Sequence, residues 1–354
     1  MNKTNFAMKN KTEVNTLESN RIGKHSFRFQ NPPVITAWAS VAGKKESEGP
    51  LCKYYDVTDD DPYFGQRSWE QAEKQMQTTA FEQLLKKAQL THDAIGAVCS
   101  GDLLNQCIGS SFSLRNKHIP HIGLYGACST MAESLLVASM MVGGGFSNKV
   151  VAMTSSHFAS SERQYRFPLG YGGQRTPTAQ WTVTGAGAAL LQADGHGPKI
   201  EACTIGTVTD LGITDAANMG AAMAPAALST IAQHFADTGT TVDNYDLIVT
   251  GDLGQLGMDL LLYLSREKGL HLGGKLADCG TMVFDILKQD VHSGGSGCGC
   301  SAITLCGYLL SKLNSGKLKK ILFCGTGALL SPTSTQQGLP IPGVCHAISI
   351  SGGR

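Results

Sequence analysis

The stretch of this chain best equipped for chemistry is Gly126-Ala127-Cys128-Ser129-Thr130, set between a short apolar run and a helix. His121 to Tyr125 reads as a buried strand feeding a tight turn at Gly126. Thr130, with Glu133 three residues later, forms a capping box that starts the helix at Thr130. From Met131 to Val142 the residues are apolar or small on every side apart from Glu133 and two serines, the pattern of a buried helix. A cysteine therefore stands beside the N-terminus of a core helix. Partial positive charge and unpaired N–H groups at such an end lower a thiol pKa and attract anions. A free cysteine is also a good small core residue. Cys128 is thus either a reactive thiol or packing.

Two further groups of residues bear on that thiol. Gly101-Asp102-Leu103 and Gly251-Asp252-Leu253 each close an apolar strand, and both turns are expected to face Cys128. Their aspartates are either oxygen ligands or turn caps. Residues 154–182 read as a long, polar, weakly periodic insertion carrying His157, Arg163, Arg166 and Arg175. Loops of that length inside a compact domain are usually functional. The insertion is either an anion-contacting flap or a solvated loop with local ion pairs. Asp56 to Phe64 holds four aspartates but lacks the Gly and terminal Glu of a calcium loop, so it reads as a solvated turn.

The elements that position these groups alternate strand and helix. Pro33 to Ala39 is a first strand, Ser68 to Ala88 a helix, Ile95 to Cys99 a buried strand, and Val150 to Met153 another. Thr182 to Leu191 reads as one strand with glycines where a second backbone comes close. This alternation means a layered α/β fold. Hydrophobic residues make up 42% of the 354 and charged residues only 16%, enough apolar material for a large core. A net charge of +1 gives no footprint for nucleic acid. The eleven cysteines show no C-x-x-C pair and sit mostly in apolar segments, as expected of reduced thiols in a cytoplasmic compartment. Residues 1–30 read as a flexible polar tail without a secretory h-region, and no transmembrane helix is expected.

The second half of the chain repeats the first. Val98-Cys99-Ser100-Gly101-Asp102-Leu103 is echoed by Val249-Thr250-Gly251-Asp252-Leu253. Gly126-Ala127-Cys128-Ser129, a helix and Lys149-Val150-Val151 are echoed by Gly299-Cys300-Ser301, a helix and Lys320-Ile321-Leu322. Two α/β halves, 31–195 and 196–354, are expected to pack on one another, with a ligand at the strand carboxyl ends where they meet.

Duplicated α/β halves with a cysteine opening a buried central helix resemble the thiolase and ketoacyl-synthase III fold over roughly residues 31–350. The resemblance implies a thiolase-like five-layer fold. It also implies a nucleophile at Cys128, and Thr184-Gly185-Ala186-Gly187-Ala188 matches the glycine strand ending the first half. In those enzymes His and Asn, or two His, activate the cysteine. Here the first of these positions falls on Gly251, and the second lies within Gly294-Gly295-Ser296-Gly297. His292 lies a few residues early, and Cys324 falls near a second cysteine of some thiolases. Acid–base groups contribute roughly 10²–10⁴-fold each, so their loss argues against condensing chemistry.

A narrower likeness covers nearly the whole chain after the tail. Gly101-Asp102-Leu103-Leu104-Asn105-Gln106, Thr154-Ser155-Ser156-His157, Asp210-Leu211-Gly212-Ile213-Thr214-Asp215 and Met223-Ala224-Pro225-Ala226 carry it, with Thr326-Gly327-Ala328-Leu329-Leu330-Ser331-Pro332. They resemble the stage V sporulation protein AD family of spore-forming Firmicutes. That family is implied to bind pyridine-2,6-dicarboxylate (dipicolinic acid), or its calcium chelate, and to serve its uptake into the developing spore. Its implied place is peripheral, on the cytoplasmic face of the forespore inner membrane, beside membrane proteins of the same operon. The expected ligand-binding set is Cys128, Asp102, His157, Arg163, Arg166, Arg175, Asp252 and Ser296, with no cofactor or resident metal, and a homodimer is possible on fold analogy. The rival reading is a residual acyltransferase in which His157 activates Cys128.

Overall fold

The computed structural model describes residues 20–165 and 175–353. Arg21–Ile22 (β1) and Ser26–Arg28 (β2) pair as a hairpin. The first half then contributes Val34–Gly43 (β3), Val57–Asp59 (β4), Ala97–Gly101 (β5), His121–Gly123 (β6), Lys149–Ser156 (β7), Trp181–Thr182 (β8) and Gly185–Gln192 (β9). The second contributes Lys199–Thr204 (β10), Leu247–Thr250 (β11), Leu276–Asp278 (β12), Gly295–Ser296 (β13), Lys320–Ala328 (β14) and Gly343–Ser351 (β15).

The main sheet runs β12-β11-β14-β15-β10-β3-β9-β7-β5-β6, so each half supplies the same five-strand pattern read outward from the middle. In the main sheet the two five-strand sets meet at Lys199 of β10 and Val34 of β3, and β8 pairs with β13 across the halves. Side chains alternate across the strands as a period of two requires. Val150 and Ala152 of β7 and Ile321 and Phe323 of β14 face one shared core, while Val151, Met153, Leu322 and Cys324 face outward to two others.

That shared core holds two helices, Thr130–Gly143 and the run from Cys298 to Asn314, between the two halves of the sheet. The helix Trp69–Ala88 covers the outer face of the first half, and Met219–Thr238 with Gly254–Glu267 covers the second. The result is five layers. Ser68 and Asn218 cap the two long outer helices, accepting from Gln71 and Ala221 backbone N–H groups. Gly187 shows why its strand carries glycine: a Cβ there would overlap the Ala302 backbone of the second central helix.

Five sequence expectations change. The buried strand expected from His121 to Tyr125 is a three-residue edge strand, β6, with Ile122 and Tyr125 exposed. Residues 21–28 are not tail, because β2 pairs with β10 far along the chain. The stretch read as a loop from 154 contains the end of β7 and a helix, Phe158–Tyr165. The segment read as one strand from Thr182 is broken at Val183–Thr184, since β8 leaves the main sheet to pair with β13. Thr130 is already helical, and no capping box forms there.

Candidate functional site

Ala127 explains that last change. Its φ of +53° turns the chain sharply after Gly126, and a 3-10 turn over Ala127–Ser129 runs directly into the core helix. A non-glycine residue there carries strain of roughly 1–3 kcal/mol, which the surroundings must hold. They do so through side chains: Thr130 Oγ1 accepts from the Gly126 N–H at 3.2 Å and donates to the Ala127 carbonyl at 2.6 Å. Ser129 Oγ lies 2.7 Å from the Gly126 carbonyl and 2.9 Å from Glu133 Oε1. A Cβ at Gly126 would overlap the Glu133 carboxyl and push it off this arrangement. Cys128 is buried on this pedestal.

The group facing the thiol is Asp252, one residue beyond the Gly251 position expected from the sequence. Thr326 Oγ1 donates to its Oδ1 at 2.9 Å, and the Gly297 N–H donates to its Oδ2 at 2.8 Å. Ser296 Oγ adds a contact at 3.2 Å, and the Cys128 thiol is a further donor. Burial raises the Asp252 carboxyl to about 6, although these donors favour its charged form. Burial, and then the Asp252 charge, push the Cys128 thiol well above its ordinary range. The helix-end effect that would lower it is overridden. The proton stays on sulfur.

A cavity of about 40 Å³ opens in front of the thiol. Leu103, Tyr165, Met219 and Leu330 supply apolar wall, and Ser161, Thr182 and Ser296 supply hydroxyls. Ser161 Oγ is buried and has no hydrogen-bond partner among the described residues. The helix Phe158–Tyr165 forms one side of the cavity and is tied to the 103–105 turn. Tyr165 Oη and Gln164 Nε2 donate to the Leu103 carbonyl at 2.6 and 2.9 Å, and the Asn105 N–H donates to Gln164 Oε1 at 3.0 Å. Among the described residues lining the cavity, Glu162 is the one charged side chain, and none is basic.

Of the residues expected at the site, Cys128 and Ser296 line the cavity and Asp252 lies directly behind the thiol. Asp102 does not reach it. Its carboxylate accepts from the Leu104 and Ser110 N–H groups and from Ser110 Oγ, at 2.7 to 3.1 Å. His157 sits in a different pocket beside Lys45 and Trp181. Its Nε2 is 2.8 Å from the Pro62 carbonyl and its Nδ1 accepts from the Ala159 N–H, so both nitrogens are used, and burial keeps the ring neutral. Arg163 pairs with Glu70 and lies over Trp69 on the surface. Arg175 donates to the Asp290 carbonyl at 2.8 Å and lies over Trp181. Arg166 falls outside the described residues. His292 is held by Asp290, and Cys324 packs in the outer core of the second half. Sequence reasoning missed Ser161, Glu162, Tyr165 and Thr182 as cavity wall. Among the described residues, no group of three or more His, Cys, Asp or Glu is arranged to hold a metal ion.

The model of the family described as stage V sporulation protein AD matches residues 23–351. The chain belongs to that family. It is 44% identical over 326 residues to the stage V sporulation protein AD of Bacillus subtilis (strain 168), covering 92% of this chain and 96% of that one. Solved structures similar in fold include 3-oxoacyl-[acyl-carrier-protein] synthase III from Aquifex aeolicus VF5. That match has 12% identity and a TM-score of 0.53, and it covers 90% of this chain and 99% of that one. Cerulenin-bound OleA of Xanthomonas campestri is similar at 15% identity and a TM-score of 0.58, covering 92% and 98%. At such identities the likeness establishes the thiolase-like fold and nothing of the chemistry.

Proposed function

We propose that the protein binds dipicolinic acid non-covalently in the Cys128 cavity and serves its uptake during sporulation, at a membrane and beside membrane-embedded partners. The observation that carries this reading is the Asp252–Cys128 contact. A carboxylate one residue beyond the position where the resemblance puts a base faces the thiol, and burial together with its charge keeps the thiol protonated. His157, the base that the rival reading invokes, has both nitrogens occupied elsewhere.

The cavity supplies what a planar diacid needs. Ser161 offers a buried hydroxyl with no partner among the described residues, Ser296 and Thr182 offer two more, and Tyr165, Leu103 and Leu330 offer flat apolar contact. A volume of about 40 Å³ holds little more than one or two waters. Ligand entry therefore displaces wall side chains such as Tyr165 and Leu330. With Glu162 in the wall, Asp252 behind the thiol and no basic side chain among the described lining residues, a proton or calcium arriving with the ligand would neutralise its carboxylates. The chelate is then the tighter ligand.

Isothermal titration of the purified protein with dipicolinate, with and without calcium, tests this beside Cys128→Ala and Ser161→Ala. The expected result is saturable binding, strengthened by calcium and weakened by either substitution, with no adduct on Cys128 after exposure to acyl-CoA. Absence of dipicolinate heat together with an acylated Cys128, seen by mass spectrometry, would return the chain to the acyltransferases.

A further inference from the structure

A second groove, which shares no lining residue with the Cys128 cavity, lies where the β1–β2 hairpin meets the end of the Thr130–Gly143 helix. It encloses about 540 Å³. Phe27, Phe29, Met140 and Ile205 line it, with Arg21 and Lys24 from the hairpin, and none of its described lining residues is acidic. Phe27 and Phe29 meet edge to face with centroids 5.3 Å apart. Around the groove, apolar side chains stand out into solvent: Met140 is 45% exposed, Ile205 44% and Phe146 82%. Phe146 belongs to the same rim, because a Cβ on the groove residue Gly144 would touch its ring. Asp237 lies against the hairpin backbone, its carboxylate accepting from the Lys24 and His25 N–H groups and from Ser26 and Gln233.

A lone exposed phenylalanine needs no explanation, but three exposed apolar side chains around a cation-edged apolar groove do. No helix among the described residues is long and apolar enough to cross a membrane, so attachment through these helices is by a surface. Apolar groups that can enter the acyl boundary, ringed by cations that meet headgroups, are the chemistry of interfacial binding to anionic lipid. We propose that this face, centred on Phe146, Met140 and the Arg21–Lys24 hairpin, is where the protein sits on an anionic bilayer. The proposal rests on the reading that the protein works at a membrane, and it names the surface.

Co-sedimentation of the full chain with phosphatidylcholine vesicles, with and without phosphatidylglycerol, is the test. Binding is expected to require phosphatidylglycerol and to weaken as salt screens the cations. The double substitution Phe146→Ser with Met140→Ser removes exposed side chains without opening the core and should lower partitioning about tenfold. Lys24→Gln, which removes one charge, should lower it about fivefold. Dipicolinate titration is run on the same variants and should not change, so failure here leaves the ligand reading standing on its own result. No binding to phosphatidylglycerol vesicles, or binding indifferent to all three substitutions, would overturn the proposal. So would concentration-dependent self-association abolished by Phe146→Ser, which assigns the face to a second copy.

Discussion

Asp102 and Asp252 occupy the same place in the two halves of a duplicated chain, yet they do opposite things. Asp102 turns back into its own half: its acceptors are filled by Leu104 and Ser110, and its charge bears on the buried Glu73. Asp252 bridges the halves, binding Thr326 on its own side, Gly297 at the start of the second central helix, and Cys128 at the start of the first. The difference teaches that the site is asymmetric by construction. One copy of the turn was kept as a local brace. The other is the pin between two helix starts, and its charge adds to burial in raising the thiol.

The largest effect should come from removing the pin. Asp252→Ala leaves Thr326, Ser296 and the Gly297 N–H without their buried acceptor, a loss of about 3–5 kcal/mol in urea unfolding, and abolishes ligand binding. Asp102→Ala also destabilises, since Ser110 and Leu104 lose theirs, but a soluble folded fraction should still bind dipicolinate. If both variants lose binding in proportion to stability, the asymmetry is only structural.

Asp252→Asn isolates the charge. It keeps the shape and removes the anion that adds to burial in raising the thiol, so iodoacetamide should modify Cys128 faster at pH 8 than in the parent. Asp102→Asn should leave that rate alone. Peptide mapping after timed alkylation distinguishes Cys128 from the other buried thiols. An unchanged rate in Asp252→Asn would mean that burial alone governs the thiol.

The pH dependence of stability is the next effect down. Asp252 binds its proton more tightly folded, about 6 against an ordinary 3.8, so the folded state carries more protons between those values. Stability from this group is therefore full below about pH 4 and falls as pH rises through 6, by at most about 1.4 kcal/mol per pH unit. Burial likewise raises Glu46, to about 7, and with Asp102 raises Glu73, which carries the decline toward neutrality. Asp252→Asn should flatten the curve between pH 4 and 6. Glu73→Gln should flatten it at higher pH, and midpoints of urea unfolding across buffers read both.

The fold was legible in the sequence because the duplication left matched strand ends and two matched cysteine turns. The site was legible only in part. Cys128 lies at a turn that the repeat marks, and Ser296 in the glycine-rich run that the family resemblance marks, and both line the cavity. The helix Phe158–Tyr165 presents Ser160, Ser161 and Glu162 as its buried residues, and such polar burial leaves no apolar period to read. The β2 strand found its partner only across the whole first half, which no local pattern announces. The helix start moved because of Ala127, whose left-handed backbone no propensity for alanine would suggest.

The arginines give the smallest effect and the sharpest lesson about composition. Their clustering suggested an anion clamp, since a bidentate guanidinium is a strong carboxylate partner. Arg163, however, spends its charge on Glu70 across the surface and lies over Trp69, with its side chain 45% exposed. An ion pair this open to water contributes a few tenths of a kcal/mol at most. Arg163→Ala should therefore shift the urea midpoint barely and leave dipicolinate affinity within about twofold of the parent. A tenfold loss of affinity in that variant would mean that the Glu70 pair breaks when ligand arrives and that the guanidinium swings inward. The site's charge would then be supplied by the first half after all, and the contrast between Asp102 and Asp252 would describe only the unliganded protein.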